Sequence, residues 1–236
     1  RDSYIVIGIL CLITMLPLAL LLRRRPALAE THHVTAQNGV HEMLTPPSYL
    51  QGLLMLAGLA CCVAMSMPQV HIVAYCGDLG YGVARGAQML SLMMACGIIS
   101  RIGSGFIADR IGGLGTLLLG SVLQGVALVL YLVFNGLNSL YVISALFGLF
   151  QGGIVPSYAI IVREYFSPKE AGTRVGIIIM ATVLGMALGG WMSGAIFDLA
   201  GSYRAAFANG ILWNLLNGVI AVSLFLRRRR GGAALA

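Results

Sequence analysis

Residues 97–113 read Gly97-Ile-Ile-Ser-Arg101-Ile-Gly-Ser-Gly105-Phe-Ile-Ala-Asp109-Arg110-Ile-Gly112-Gly113. The stretch begins inside an apolar run and leaves it through charge and glycine. On a helix, Gly97, Arg101, Gly105 and Asp109 recur every fourth residue and share one face. Asp109-Arg110 marks the boundary with water, and Gly112-Gly113 supplies helix-stop chemistry. Arg101 lies eight residues deeper, about 12 Å along a helix axis. At that depth an arginine costs about 2.5–3.5 kcal/mol on insertion scales, so it marks a functional site by default.

The same pattern, apolar run then charged turn, repeats along all 236 residues. Hydrophobic residues make up 58% and charged residues 10%, against about 25% charged in a soluble domain. This is the composition of a multi-pass membrane protein, and the run lengths specify helices, not a barrel. Seven spans are predicted, at 4–22, 50–74, 84–107, 114–134, 138–162, 172–197 and 205–226. The net charge of +7 is a topology signal, because the cations cluster between runs on alternating sides. Arg23 to Arg25, Arg101, Arg110, Arg163, Lys169, Arg174 and Arg227 to Arg230 fall on one side, 12 of the 15 basic residues. That side is cytoplasmic by the positive-inside rule, with the beginning of the chain outside and its end inside. Nucleic acid is not an expected partner; the lipid bilayer is. The terminal arginines read as a stop-transfer signal and a contact for anionic lipid.

No arrangement of paired carboxylates, zinc-binding histidines or Ser/His pairs occurs in the spans, so an enzyme is not expected, and neither is a cofactor or a metal. His32, His33 and His41 beside Glu30 and Glu42 are irregularly spaced in the polar 23–49 loop and read as solvated. The cysteines lack metal-ligand spacing and read as small buried hydrophobes. Pro68 interrupts the second span, and Gln69 and His71 follow it as polar groups that a cavity would use. The fifth span carries Gln151, Pro156 and Tyr158 around a Gly-Gly pair; broken spans of this kind point to transport sites. Both prolines are expected helix kinks. In the sixth span, Gly185/Gly189 and Gly190/Gly194 permit close helix approach.

The segment Gly105-Phe-Ile-Ala-Asp109-Arg110-Ile-Gly112 resembles the Gly-xxx-Asp-Arg/Lys-x-Gly signature of the major facilitator superfamily, although Gly113-Leu114 replaces the usual trailing basic pair. Phe147–Gly176 is similar to that family's tenth helix and following loop. Gly194–Phe207 and the Met-Pro-Gln-Val-His stretch of the second span are similar to the monocarboxylate and oxalate/formate branch.

The resemblance implies an all-α membrane fold of seven transmembrane helices, a C-terminal six-helix bundle plus one preceding helix. It implies the last helix of an N-terminal bundle at 1–22, a central cytoplasmic loop at 23–49, the bundle at 50–230 and a cytoplasmic tail at 231–236. The opening on Arg1 fits a piece of a longer protein whose N-terminal six-helix half lies outside this sequence. The implied activity is secondary transport of a small organic anion across the inner membrane, with a coupling proton or a counter-anion. Arg101 then binds a substrate carboxylate, with Gln69, His71, Gln151 and Tyr158 as further substrate contacts. Gly105, Asp109, Arg110, Gly112, Glu164 and Arg174 form the signature and its gating cluster, in which Asp109 caps a helix of the opposite bundle. Two departures stand out: the eleventh-helix lysine of oxalate-type members has no counterpart in 176–185, and Gly97 occupies the place of an aspartate in the mammalian monocarboxylate carriers. A structural pair or a snorkelling cation is the other reading of Arg101. A seven-helix receptor, a transporter of a non-carboxylate solute and a module that only assembles with another protein are the competing readings.

Overall fold

The computed structural model describes residues 2–22 and 46–233. The 23–45 segment with its histidines, and the tail beyond Ala233, lie outside the described residues, so the solvated-loop reading is not addressed. The chain divides into two units, residues 1–39 and 40–236. Within the first, α1 spans Asp2–Leu22 and presents exposed leucines and isoleucines along its described length.

The second unit is a helical bundle built from α2 (Pro47–Asp78), α3 (Val83–Val133), α4 (Leu137–Gln151), α5 (Ile154–Tyr165), α6 (Pro168–Ala200) and α7 (Tyr203–Ala233). A straight helix of α3's 51 residues would run about 76 Å, over twice the ~30 Å of a hydrocarbon core. It is not straight: Gly112 has φ 77° and ψ 170°, a conformation glycine adopts without steric cost. A small cavity is lined by Ser100, Gly103 and Ile107 before Gly112 and by Thr116, Gly120 and Leu123 after it. These positions fall symmetrically about residue 112, as two antiparallel arms require. The arms are the predicted third and fourth spans. α4 and α5 together make the fifth span; five helices among the described residues are long and apolar enough to cross a membrane, and counting the two arms of α3 separately gives the six spans expected of the bundle, with α1 preceding them.

α2 runs unbroken through Pro68. The fifth span breaks at Gly152-Gly153, and Pro156 follows in the first turn of α5; its missing N–H leaves the Gly152 carbonyl without a helical donor. A Cβ on Gly152 would lie 2.6 Å from the carbonyl oxygen of Gly97 on the first arm of α3. The glycine pair therefore lets α3 press against the break.

α2 is the most buried span, and it packs most extensively on α6 and then α7. Every residue from Ala60 to Pro68 is buried. Small residues drive this, because lipid offers no hydrophobic gain for helix association and close van der Waals approach must supply it. A Cβ on Gly189 would sit 2.5 Å from the Val63 carbonyl oxygen. On the bundle's outer surface, Phe106 and Trp191 are each 70% exposed and Leu212 is 67% exposed. In water such faces would associate; against acyl chains or further helices they are solvated.

Gly189→Ala is expected to destabilise the bundle by about 1–3 kcal/mol through overpacking. Gly176→Ala, where a Cβ meets nothing within 4 Å, is expected to be neutral or slightly stabilising. Thermal unfolding of both variants in detergent checks the contrast, and equal midpoints would contradict it.

Candidate functional site

A cleft of about 450 Å3 opens between α2, the first arm of α3, the α4–α5 break and α6. Met94, Gly97, Ile98 and Arg101 line it from α3, one helical face at i, i+3, i+4 and i+7. Arg101 is exposed there and makes no ion pair among the described residues. Across the cleft, Gln69 Nε2 donates to Gln151 Oε1 at 2.7 Å. This bond ties the turn after Pro68 in α2 to the last residue of α4. Of the five expected substrate contacts, the structure brings together Arg101, Gln69 and Gln151.

The other two lie elsewhere. His71 Nε2 is 2.9 Å from the Gly190 carbonyl oxygen; a carbonyl can only accept, so that nitrogen carries the hydrogen. The His71 ring sits 5.7 Å from the Tyr203 ring, within an aromatic group that includes Tyr75 and Phe207. Tyr158 is 1% exposed, and its hydroxyl donates to Asn217 Oδ1 at 3.3 Å. It belongs to a buried polar knot at the middle of the bundle. There Asn217 Nδ2 donates to Ser121 Oγ at 2.8 Å and Asn214 Nδ2 to the Ser121 carbonyl at 3.0 Å. Gln124 Nε2 donates to the Cys61 carbonyl at 3.3 Å. The knot joins α2, the second arm of α3, α5 and α7. Away from water each such donor needs an acceptor, which makes the knot a register-setting device.

Sequence reasoning missed the methionines. Met65, Met94 and Met186 line the cleft with Cys62 and Thr182. Nothing marks a methionine as cavity-facing in a chain where apolar residues occupy every face of a span.

The gating residues are also distributed differently from the expected cluster. Gly112 has no side chain to cap the second arm of α3, and Glu164 does so instead: its Oε1 accepts from the Gly113 N–H at 2.9 Å. A carboxylate there also complements the positive end of the helix dipole. A Cβ on Gly112 would lie 3.0 Å from Arg228 Nη1 and 3.5 Å from Glu164 Oε1. Arg228, read from the sequence as a lipid contact, thus reaches the same glycine. Arg174 pairs with Glu170 at 2.7 Å, one turn away, and stacks 4.2 Å above the Phe166 ring. Asp109 and Arg110 are exposed and form no ion pair among the described residues. Gly105 is exposed, with open space where a Cβ would stand. Within this bundle, Glu164 caps the start of the second arm of α3.

Comparison with known proteins bears on what this arrangement serves. The model of the Major Facilitator Superfamily matches residues 3–139 and again residues 104–235. A rat protein named Monocarboxylate transporter 13 is 29% identical over 143 residues, covering 60% of this chain and 33% of that protein. A protein of Arabidopsis thaliana named Probable anion transporter 5 is 33% identical over 121 residues, covering 50% of this chain and 28% of that one. The chain thus spans about a third of the length of the curated relatives it matches. A crystal structure of the peptide transporter POT in complex with alafosfalin superposes with a TM-score of 0.68 at 20% identity, over 80% of this chain and 40% of that one. At that identity it attests the fold.

Replacing Glu164 with Ala leaves the Gly113 amide without its acceptor. Loss of a helix cap costs about 0.5–2 kcal/mol, so Glu164→Ala is expected to lower the unfolding midpoint in detergent and Glu164→Gln to retain most of it. An unchanged midpoint for Glu164→Ala would mean the cap contributes nothing.

Proposed function

The chain belongs to the Major Facilitator Superfamily, and from that premise we propose that it forms the substrate-bearing C-terminal bundle of a secondary transporter for small organic anions. One observation carries the reading: Arg101 lines the cleft with no carboxylate beside it among the described residues. A guanidinium in a low-dielectric site is costly unless an anion completes it. Its planar fork of donors matches a carboxylate in two parallel bonds. Gln69 and Gln151 flank the anion with neutral donors and acceptors. The names of the rat and Arabidopsis relatives, a monocarboxylate and an anion transporter, agree with this chemistry.

In this reading α1 is the last helix of a preceding bundle, residues 23–49 a cytoplasmic connection, and residues 50–230 the second bundle, with 231–236 as a cytoplasmic tail. The protein sits in the inner membrane with the beginning of this chain outside and its end in the cytoplasm. Two bundles rock about the Arg101 level, exposing the anion alternately to each side. A co-transported proton or an exchanged counter-anion drives the movement. The substrate leaves chemically unchanged, so the protein is not an enzyme. His71 and Tyr158 act as packing and register groups.

Uptake of labelled mono- and dicarboxylates by the reconstituted full-length protein tests the proposal. Arg101→Ala and Arg101→Lys are each expected to reduce carboxylate uptake about 10- to 100-fold at normal membrane levels, since a charge-assisted hydrogen bond contributes about 1.5–3 kcal/mol. Unchanged uptake would make Arg101 structural. An absence of carboxylate uptake in the unaltered protein would transfer the search to neutral or cationic solutes. This chain alone in proteoliposomes is expected to give no uptake.

A further inference from the structure

On the side of α3 away from Arg101, we propose a site for one anionic phospholipid, its acyl chain in the groove between the two arms and its phosphate on Arg110. The groove, of about 220 Å3, is formed by both arms of α3 and by Leu149, Phe150 and Gly153 at the break of the fifth span. Gly103 lies nine residues from Met94 of the cleft, and Ile107 nine from Ile98. Nine residues are about two and a half turns, so cleft and groove occupy opposite sides of one helix. A preceding bundle seated over the cleft leaves this other side to the membrane.

The walls of the groove suit hydrocarbon. Its three hydroxyls are spent: Ser100 donates to the Leu149 carbonyl, Ser104 to the Arg101 carbonyl at 3.0 Å and Thr116 to the Gly112 carbonyl at 2.9 Å. The rest of the lining is isoleucine, leucine, phenylalanine and glycine, so no side-chain donor remains for a polar occupant. Ile99, Ile107 and Leu119 are exposed, which leaves the groove open along its side for a chain entering from the bilayer. From Ile99 to Ile107 it follows α3 for about 12 Å, most of the depth of one leaflet of a ~30 Å hydrocarbon core.

Charge marks the end at which the headgroup sits. Ile99, Gly103, Ile107 and Arg110 fall at i, i+4, i+8 and i+11, one face of the helix. Arg110 lies one turn beyond Ile107 and two residues before the Gly112 elbow; it is exposed and forms no ion pair among the described residues. Its guanidinium offers a phosphodiester two parallel bonds at the end of the groove that meets water. Asp109 is turned about 100° round the helix, toward the face of Gly105 and Arg101. The Arg110 face of α3 thus holds no carboxylate to receive the cation of a zwitterionic headgroup, which favours an anionic lipid.

Native mass spectrometry of the full-length protein in detergent, titrated with phosphatidylglycerol, tests the site. Arg110→Gln is expected to weaken the tightest-bound lipid at least about tenfold, the share of one charge-assisted hydrogen bond. Arg110→Lys, which keeps the charge, is expected to bind more tightly than the glutamine variant. A Cβ on Gly103 meets nothing within 4 Å, so Gly103→Leu extends into the groove without displacing a neighbour and is expected to remove the same lipid. Gly218→Leu, at an equally open glycine of α7, is expected to leave it in place. Glycerol 3-phosphate, a phosphate without a chain, is expected not to compete. Binding unchanged by Arg110→Gln or by Gly103→Leu would overturn the site, and so would displacement by glycerol 3-phosphate. Equal affinity for phosphatidylcholine would overturn the assignment to an anionic lipid. A helix of the preceding bundle or a second copy of the chain in the groove would leave no lipid sensitive to Gly103→Leu, which overturns the proposal in the same way.

Discussion

Where α2 meets α6, the backbones approach so closely that a methyl group on Gly189 would stand 2.5 Å from the carbonyl oxygen of Val63. Such contact is the condition on which the rest of the bundle depends. Lipid tails are as apolar as leucine, so burying leucine against leucine gains little in a bilayer. What remains is dispersion at short range and hydrogen bonds withdrawn from competition. α2 collects both. Its small residues admit α6, while the backbone at Cys61 receives Gln124 of α3. With α2 fixed on several sides, Gln69 and the face carrying Met65 are held at a defined distance from Arg101.

The same logic explains why a costly arginine can be kept. Behind the first arm of α3, Gly152 and Gly153 interrupt the fifth span and allow α3 to seat against the break. Ser100 donates to the Leu149 carbonyl, and Ser104 turns back on the Arg101 carbonyl at 3.0 Å. These groups satisfy acceptors on the side of α3 away from the cleft. The guanidinium is therefore presented on a supported helix, and the broken helix supplies Gln151 beside it.

How far this could be read from the sequence depended on whether a residue's direction was encoded locally. Gly112 was legible, because a glycine pair after a charged boundary has one common use. Arg101, Gln69 and Gln151 were legible, because polar groups within apolar runs must face something other than lipid. Tyr158 and His71 satisfied the same rule but found protein partners, Asn217 and the Gly190 carbonyl, and their sequence surroundings gave no sign of the difference. The methionines that line the cleft from three helices were illegible for the opposite reason: an apolar residue in a span is acceptable on any face. Pro156 follows the break at the spacing at which a proline removes the helical donor of the Gly152 carbonyl.

The convergence on Gly112 has a consequence for how the protein is made. The amide of Gly113 enters the bundle early, yet its acceptor on Glu164 lies 51 residues further along the chain. Arg228, which reaches the same glycine, arrives later still, near the end of α7. During synthesis the second arm of α3 therefore waits with an uncapped start until α5 has been threaded. The junction is complete only when the last helix has emerged. A chain stopped short of its final turns would hold every span and still lack the approach of Arg228 to Gly112, a natural mark by which unfinished bundles differ from finished ones.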